Sequence, residues 1–210
     1  IDNCHVSASV TGSAENVGGI VGMLNSGSTV SDCRVDGTVT GGSITVGGIV
    51  GWLHGGSRVI NCVKTGDTIG GSTVGGIVGY ALGSNADIIN CASFGTVSAS
   101  ASCGGIVGLI KERDFDEVTQ SLKLYSCYSN CKINCNTDHG YICGRNEVTS
   151  ASVIDAKELY YTATGDENAL GYNPPSAAKL TSDNKAKTLT GLNALAASCG
   201  EIFPGVTLST

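Results

Sequence analysis

Apolar and polar positions along the first two thirds of this chain alternate in short runs, and clusters of glycine, serine and asparagine separate the runs. Short runs at fixed spacing predict β-strands joined by turns, with no helix in this half. Residues 17–42 serve as the model. Residues 17–24 read as an apolar strand, 25–28 as a turn, 29–32 as a short strand, 33–40 as another, and Gly41-Gly42 as the turn into the next copy. Three columns run in one phase. Gly-Gly-Ile-Val-Gly stands at 18–22, 47–51, 75–79 and 104–108, with a worn copy, Gly-Tyr-Ile-Cys-Gly, at 140–144. Its last glycines are 29, 28, 29 and 36 residues apart. Cys4, Cys33, Cys62, Cys91 and Cys127 follow at intervals of 29, 29, 29 and 36. Val10, Val39, Ile69, Val97 and Ile133 lie six or seven residues beyond each cysteine. A period of this size marks a repeat architecture.

The path from each cysteine to the next copy's last glycine is 17 or 18 residues throughout. Constant arc length suits a coil that closes once per repeat and pairs in parallel with its neighbour. The expected fold is therefore all-β: a parallel β-helix, or β-solenoid, of about five coils over residues 1–147. A small α+β capping segment is expected over 148–210. The structural positions of the repeat are Gly18, Gly22, Gly47, Gly51, Gly75, Gly79, Gly104 and Gly108, together with the five cysteines.

Side-chain directions follow in part. Ile20, Ile49, Ile77, Ile106 and Ile142 are invariant among the copies, and Leu24, Leu53, Ala81 and Ile110 share their parity, so this column is expected to face the core. The glycines beside it leave room for close approach of the opposite wall. If residues 17–24 form one strand, Val21, Val50, Val78 and Val107 then face outward and need a cover or a partner. Met23, Trp52, Tyr80, Leu109 and Arg145 occupy a site that tolerates any side chain. Val30, Val59, Ile88 and Leu124 lie an odd three residues before the cysteine, so the chain must bend between them. Asn3, Asp32, Asn61, Asn90 and Ser126 stand at that bend, and such residues accept unusual backbone angles.

The combination of Gly-Gly-Ile-Val-Gly, a turn, an Asn-Cys pair (61–62 and 90–91) and Gly-Thr-Val (37–39 and 95–97) resembles the GLUG-motif repeat, over roughly residues 1–147. The resemblance implies a β-solenoid in a bacterial surface or secreted protein, sometimes attached to immunoglobulin A protease-like peptidases. It implies no catalytic residues within the repeat. The fifth copy departs from the motif at Tyr141 and Cys143.

Two regions break the pattern. The step from Gly108 to Cys127 is 19 residues, against 11 or 12 elsewhere, and it carries the charge run at 111–117, expected to be a solvated loop. After about Asn146 the columns stop. Residues 153–161 suit one more edge strand, and 182–198 is the helix candidate, with Ser182 as N-cap, Gly200 as stop and Leu189, Leu192 and Leu195 on one face. A solenoid needs such a terminal unit to cover its last edge.

Composition narrows the function. Twelve basic and 18 acidic side chains give a formal charge of −6, which argues against nucleic acid and anionic membrane surfaces as partners. No apolar run is long enough to span a membrane. The chain opens mid-repeat at Ile1, so further coils or a cap, and further domains of the same polypeptide, are expected. Ten cysteines suggest disulfides, but five occupy one column whose parallel side chains are poorly placed for bridging. Buried free thiols acting as small apolar residues are expected there.

Candidate chemistry is sparse. His5, His54 and His139 lie in no metal or catalytic motif. Cys127, Cys131 and Cys135 are spaced four apart, roughly 13 Å on a strand and unlike common zinc patterns. Cys131 replaces an inward glycine of the other coils, Gly37 and Gly95. Asp36 and Asp67 are isolated carboxylates. The chain is therefore expected to be a non-catalytic extracellular or cell-surface module, a rigid spacer or adhesin-type domain for a host protein or glycan, with no cofactor and no metal. The alternative is a β-helix enzyme acting on polysaccharide, which requires clustered carboxylates on one face.

Overall fold

The computed structural model describes residues 1–148 and 154–161, except 14, 26, 43, 84 and 112–121. The capping segment expected from 148 onward, including the helix at 182–198, lies outside the described residues apart from 148 and 154–161. So does the charge run at 111–117 beyond Lys111.

The described residues form a parallel β-solenoid of about five coils, all-β and without helix. One coil consists of Thr45–Gly47, Val50–Leu53, Arg58–Ile60, then Val63–Lys64 and Thr68–Ile69. Each segment stacks on its counterparts one repeat away, with Thr29, Arg58, Asp87 and Lys123, for example, in line. The stacks make three five-stranded walls and a fourth wall of nine strands. Successive coils are about 4.8 Å apart, the spacing of hydrogen-bonded strands. The edge strand expected over 153–161 is present in two pieces. Ile154–Lys157 extends the third wall and Tyr160–Tyr161 the fourth.

One expectation on facing is corrected. Residues 17–24 are not one strand: Asn16–Gly18 belongs to the first wall and Val21–Leu24 to the second, with Gly19 and Ile20 in the bend between them. A bend resets the alternation, so both neighbours can point inward. Ile49, Ile77, Ile106 and Ile142 are fully buried, and so are Val50, Val78 and Val107. Val21, at the first coil, packs against the same core. The bend has its own hydrogen-bond signature. The Ile49 carbonyl accepts from both Ile20 N and Val21 N, and Ile77, Ile106 and Ile142 repeat this for the following coils.

The motif glycines let the first two walls meet backbone to backbone. A Cβ on Gly47, Gly75 or Gly104 would overlap the carbonyl oxygen of Val50, Val78 or Val107. One on Gly51, Gly79 or Gly108 would strike the backbone of Val17, Val46 or Val74 in the preceding coil.

A second correction concerns the column after the cysteine. The residue aligned with Val39 and Val97 is Thr68, not Ile69. Ile69 pairs with Thr40 and Ser98 and is 39% exposed, whereas Thr68 is fully buried. Backbone register decides here: the ladder keeps its count from Cys62, and the apolar residue one place late is left outside. The bend before the cysteine holds Asn3, Asp32, Asn61, Asn90, Ser126 and Glu158 at φ of 52 to 54°, the left-handed region.

Candidate functional site: an axial groove between two walls

In the second wall Leu24, Leu53, Ala81 and Ile110 are buried, so the residue just before each of them points outward. Register aligns Met23, Trp52, Tyr80, Leu109 and Arg145 in one column along the solenoid axis. In the first wall, Asn16, Thr45, Thr73, Ser102 and Asp138 form a parallel polar column. The tight Gly-Ile bend folds these walls onto each other, so the two columns run side by side. At the fifth coil they touch: Arg145 Nη1 donates to Asp138 Oδ2 at 3.3 Å, while Nη2 pairs with Glu147 at 2.8 Å. Between the columns lies a groove of about 220 Å³, lined by Asn16, Thr45 and Thr73 on one side and Trp52, Tyr80 and Leu109 on the other. Glu15 and Ile44 form its rim.

The groove is amphipathic by construction. The Trp52 and Tyr80 rings lie 5.5 Å apart and tilted by 35°, forming a continuous aromatic surface over two coils. His54 adds a third ring, 6.1 Å from Trp52. Trp52 Nε1 is sealed from solvent and makes no hydrogen bond, so the indole presents carbon surface. Facing it are hydroxyl and amide groups. Among the described residues lining the groove, Glu15 carries the one charge. Apolar surface continues outward at Met23 and Ile44, 41% and 55% exposed.

The cysteines of the repeat lie elsewhere, inside the bend between the third and fourth walls. Cys33, Cys62, Cys91 and Cys127 are buried and Cys4 half-buried, all as free thiols. The carbonyl of each accepts from the residue that follows the next coil's cysteine, and Cys127 is followed in the ladder by buried Leu159. Each buried thiol donates to the carbonyl two residues earlier, as Cys62 does to Ile60 at 3.2 Å. Burial, and then the neighbouring Cys127 thiol, push the Cys91 thiol well above its ordinary value. Such thiols are poor nucleophiles and poor metal ligands.

The histidines are not brought together. His5 pairs with Asp36 at 2.7 Å on the fourth wall, His54 flanks Trp52, and His139 sits in the first wall. Burial opposes ionisation of Asp36, but hydrogen bonds from Thr65, His5 and Arg34 hold its carboxyl down to about 2. Cys131 pairs in register with Gly95 and lies 3.1 Å from Ser93 Oγ, while Cys135 bonds to the Ala101 and Asp138 carbonyls. No cluster of three or more metal-ligating side chains occurs among the described residues.

Two features escape the sequence reading. The groove needs both columns, and only the Trp52 column stands out by its variability; the Thr45 column emerges once the bend is known. Lys64 is the other. It stands in the inward column of Val6, Val35, Ser93 and Ser129, fully buried, with its Nζ unpaired. Burial, opposed by Asp67, Cys131 and Asp36, pulls its amine down to about 8. A lone lysine two residues after the cysteine, where other copies carry valine or serine, was the available signal.

The GLUG motif family model matches residues 70–98, one period of the repeat that includes Gly75–Gly79, Asn90-Cys91 and Gly95-Thr-Val97. No curated protein and no solved structure matches the chain.

Proposed function

We propose that this GLUG-motif repeat solenoid is a non-catalytic, adhesin-type binding module of an extracellular or cell-surface protein, and that it binds its ligand along the axial groove. The observation that carries this reading is the Trp52–Tyr80 aromatic surface facing the Thr45–Thr73 hydroxyl column. Concave sites lined by aromatic groups with a few fixed polar groups are the usual form of ligand sites. A stack of identical coils also suits a rigid display element, because each coil is held by its neighbours on both sides. Among the described residues the groove offers one carboxylate, Glu15, where glycoside hydrolysis generally uses two flanking the scissile bond. No helix among the described residues is long and apolar enough to cross a membrane.

The test is to display the full chain and its Trp52→Ala/Tyr80→Ala double variant to a panel of immobilised glycans and host extracellular proteins. The reading expects at least one saturable ligand for the wild-type chain, with retention lost in the double variant while its circular dichroism is unchanged. Equal retention of every ligand by both proteins would refute the groove as the site. Turnover of a bound polysaccharide would replace the reading with an enzymatic one.

A further inference from the structure

We infer that the groove takes a neutral, extended hexopyranose chain lying along the solenoid axis, about one sugar ring per coil. This deepens the binding-module reading and rests on it.

The outward column offers one platform per coil, Trp52, Tyr80 and Leu109, at the roughly 4.8 Å step of stacked strands. That step is close to the length of one pyranose residue in an extended chain. The opposite column offers a hydrogen-bonding side chain at the same step, Asn16, Thr45 and Thr73. A pyranose has an apolar C–H face and a rim of hydroxyls, so a chain of them repeats the two chemistries that the groove repeats.

Among the described residues, Glu15 is the one charged side chain lining the groove. At the closed end, Arg145 is already engaged by Asp138 and Glu147, so it offers no free cation to a uronate, sialate or phosphate. The whole chain carries −6. An anionic polymer would meet net repulsion along the groove, whereas a neutral one would not.

An extended peptide bound as an added strand does not fit the groove. That mode needs an unpaired sheet edge running beside the ligand. The groove runs across the strands, and the main-chain groups of its walls are spent on the coils above and below. Only side chains face the ligand.

The experiment uses the intrinsic fluorescence of Trp52, the chain's one tryptophan. The full chain is titrated with cello-, malto-, chito- and manno-oligosaccharides of two to six residues, with oligogalacturonate as the anionic control. Saturable quenching or a spectral shift is expected with at least one neutral series. Affinity should climb from the dimer to the trimer or tetramer and then level off, because three platforms precede the closed end. Tyr80→Ala should weaken binding at least tenfold, about 1.4 kcal/mol. Thr73→Val, which keeps the shape and removes a hydroxyl, should weaken it several-fold. No response to any neutral series overturns the inference, and so does tighter binding of oligogalacturonate. A protein ligand recovered from the panel and lost in the Trp52→Ala/Tyr80→Ala variant would leave the binding-module reading standing while refuting the glycan. Affinity that ignores chain length would overturn the axial orientation.

Discussion

Asn90 Nδ2 donates to Asn61 Oδ1 at 2.7 Å, and Asn61 Nδ2 donates in turn to Asp32 Oδ1 at 3.0 Å. This ladder climbs the bend that turns the chain from the third wall into the cysteine column. Each member also sits at positive φ. The residue type therefore serves two needs: it tolerates the left-handed backbone, and its amide links one coil to the next.

The two needs can be separated. Asn61→Ala loses both and should cost about 2 kcal/mol, the left-handed penalty plus a hydrogen bond. Asn61→Gly keeps the backbone and loses only the ladder, so it should cost clearly less. Urea denaturation of both variants checks this. Equal losses would mean that backbone strain plays no part.

The motif glycines give a sharper contrast. At Gly75 an added Cβ would overlap the Val78 carbonyl, and the second wall cannot retreat without opening the core. Gly75→Ala should destabilise by about 3 kcal/mol or more, the upper range of overpacking. Gly27, a turn glycine, has open space around its Cβ and a φ of 75°. Gly27→Ala should cost about 1–2 kcal/mol, the left-handed penalty alone. Thermal melts of the two variants decide.

Much of this was legible from one sequence because a stacked coil repeats its constraints. The cysteine column, the asparagine bend and the parallel pairing all follow from spacing. What failed did so for identifiable reasons. Ile20 and Val21 are adjacent and both apolar, and a strict alternation forces one of them outward. The two-residue bend that lets Val50 and Ile49 both be buried leaves no mark other than the glycine at 48, which doubles as a strand residue in a simple reading. Hydrophobicity favours Ile69 over Thr68, whereas the ladder counts backbone positions. The groove is hidden in the sequence because its polar side, Thr45 and Thr73 of the first wall, comes to face Trp52 and Tyr80 only through that bend.

Lys64 tests how far the interior tolerates polarity. Its amine is buried without a hydrogen bond, and Gly48 leaves room for its stem: a Cβ there would lie 2.7 Å from Lys64 Cγ. Lys64→Met keeps the stem and removes the amine, and should stabilise the chain by about 1–3 kcal/mol, the cost of an unpaired buried polar group. The gain should depend on pH. Folding lowers the lysine's affinity for its proton, from the ordinary 10.5 to about 8. The penalty is therefore full below pH 8 and fades as pH rises toward 10.5. The buried thiols, whose values are raised, act in the opposite direction over this range, but they do so in both proteins. The stability gap between variant and wild type should therefore shrink from pH 8 to 10.5. A constant gap would show that Lys64 is not the titrating group.

The thiol column should be chemically silent in the native state. Cys33, Cys62, Cys91 and Cys127 are buried and bonded to carbonyls, whereas Cys4 is half exposed. A thiol reagent at pH 8 should label Cys4 first and the four others only after denaturation, read by peptide mass. A Cys33–Cys62 bridge in the purified protein would contradict this. Cys62→Asp should cost about 3 kcal/mol or more, because it leaves a buried charge unpaired.

The central claim is that the outward faces of the first and second walls form one ligand groove. The most direct measurement is an NMR titration of the full chain with the tightest ligand from the panel, following the Thr45 and Thr73 methyl groups together with the ring resonances of Trp52 and Tyr80. The account predicts shifts concentrated on these four residues and on Leu109, with the Cys62 and Val59 side of the coil unmoved. Shifts centred on the third or fourth wall, around Arg58 or Ile69, would contradict it.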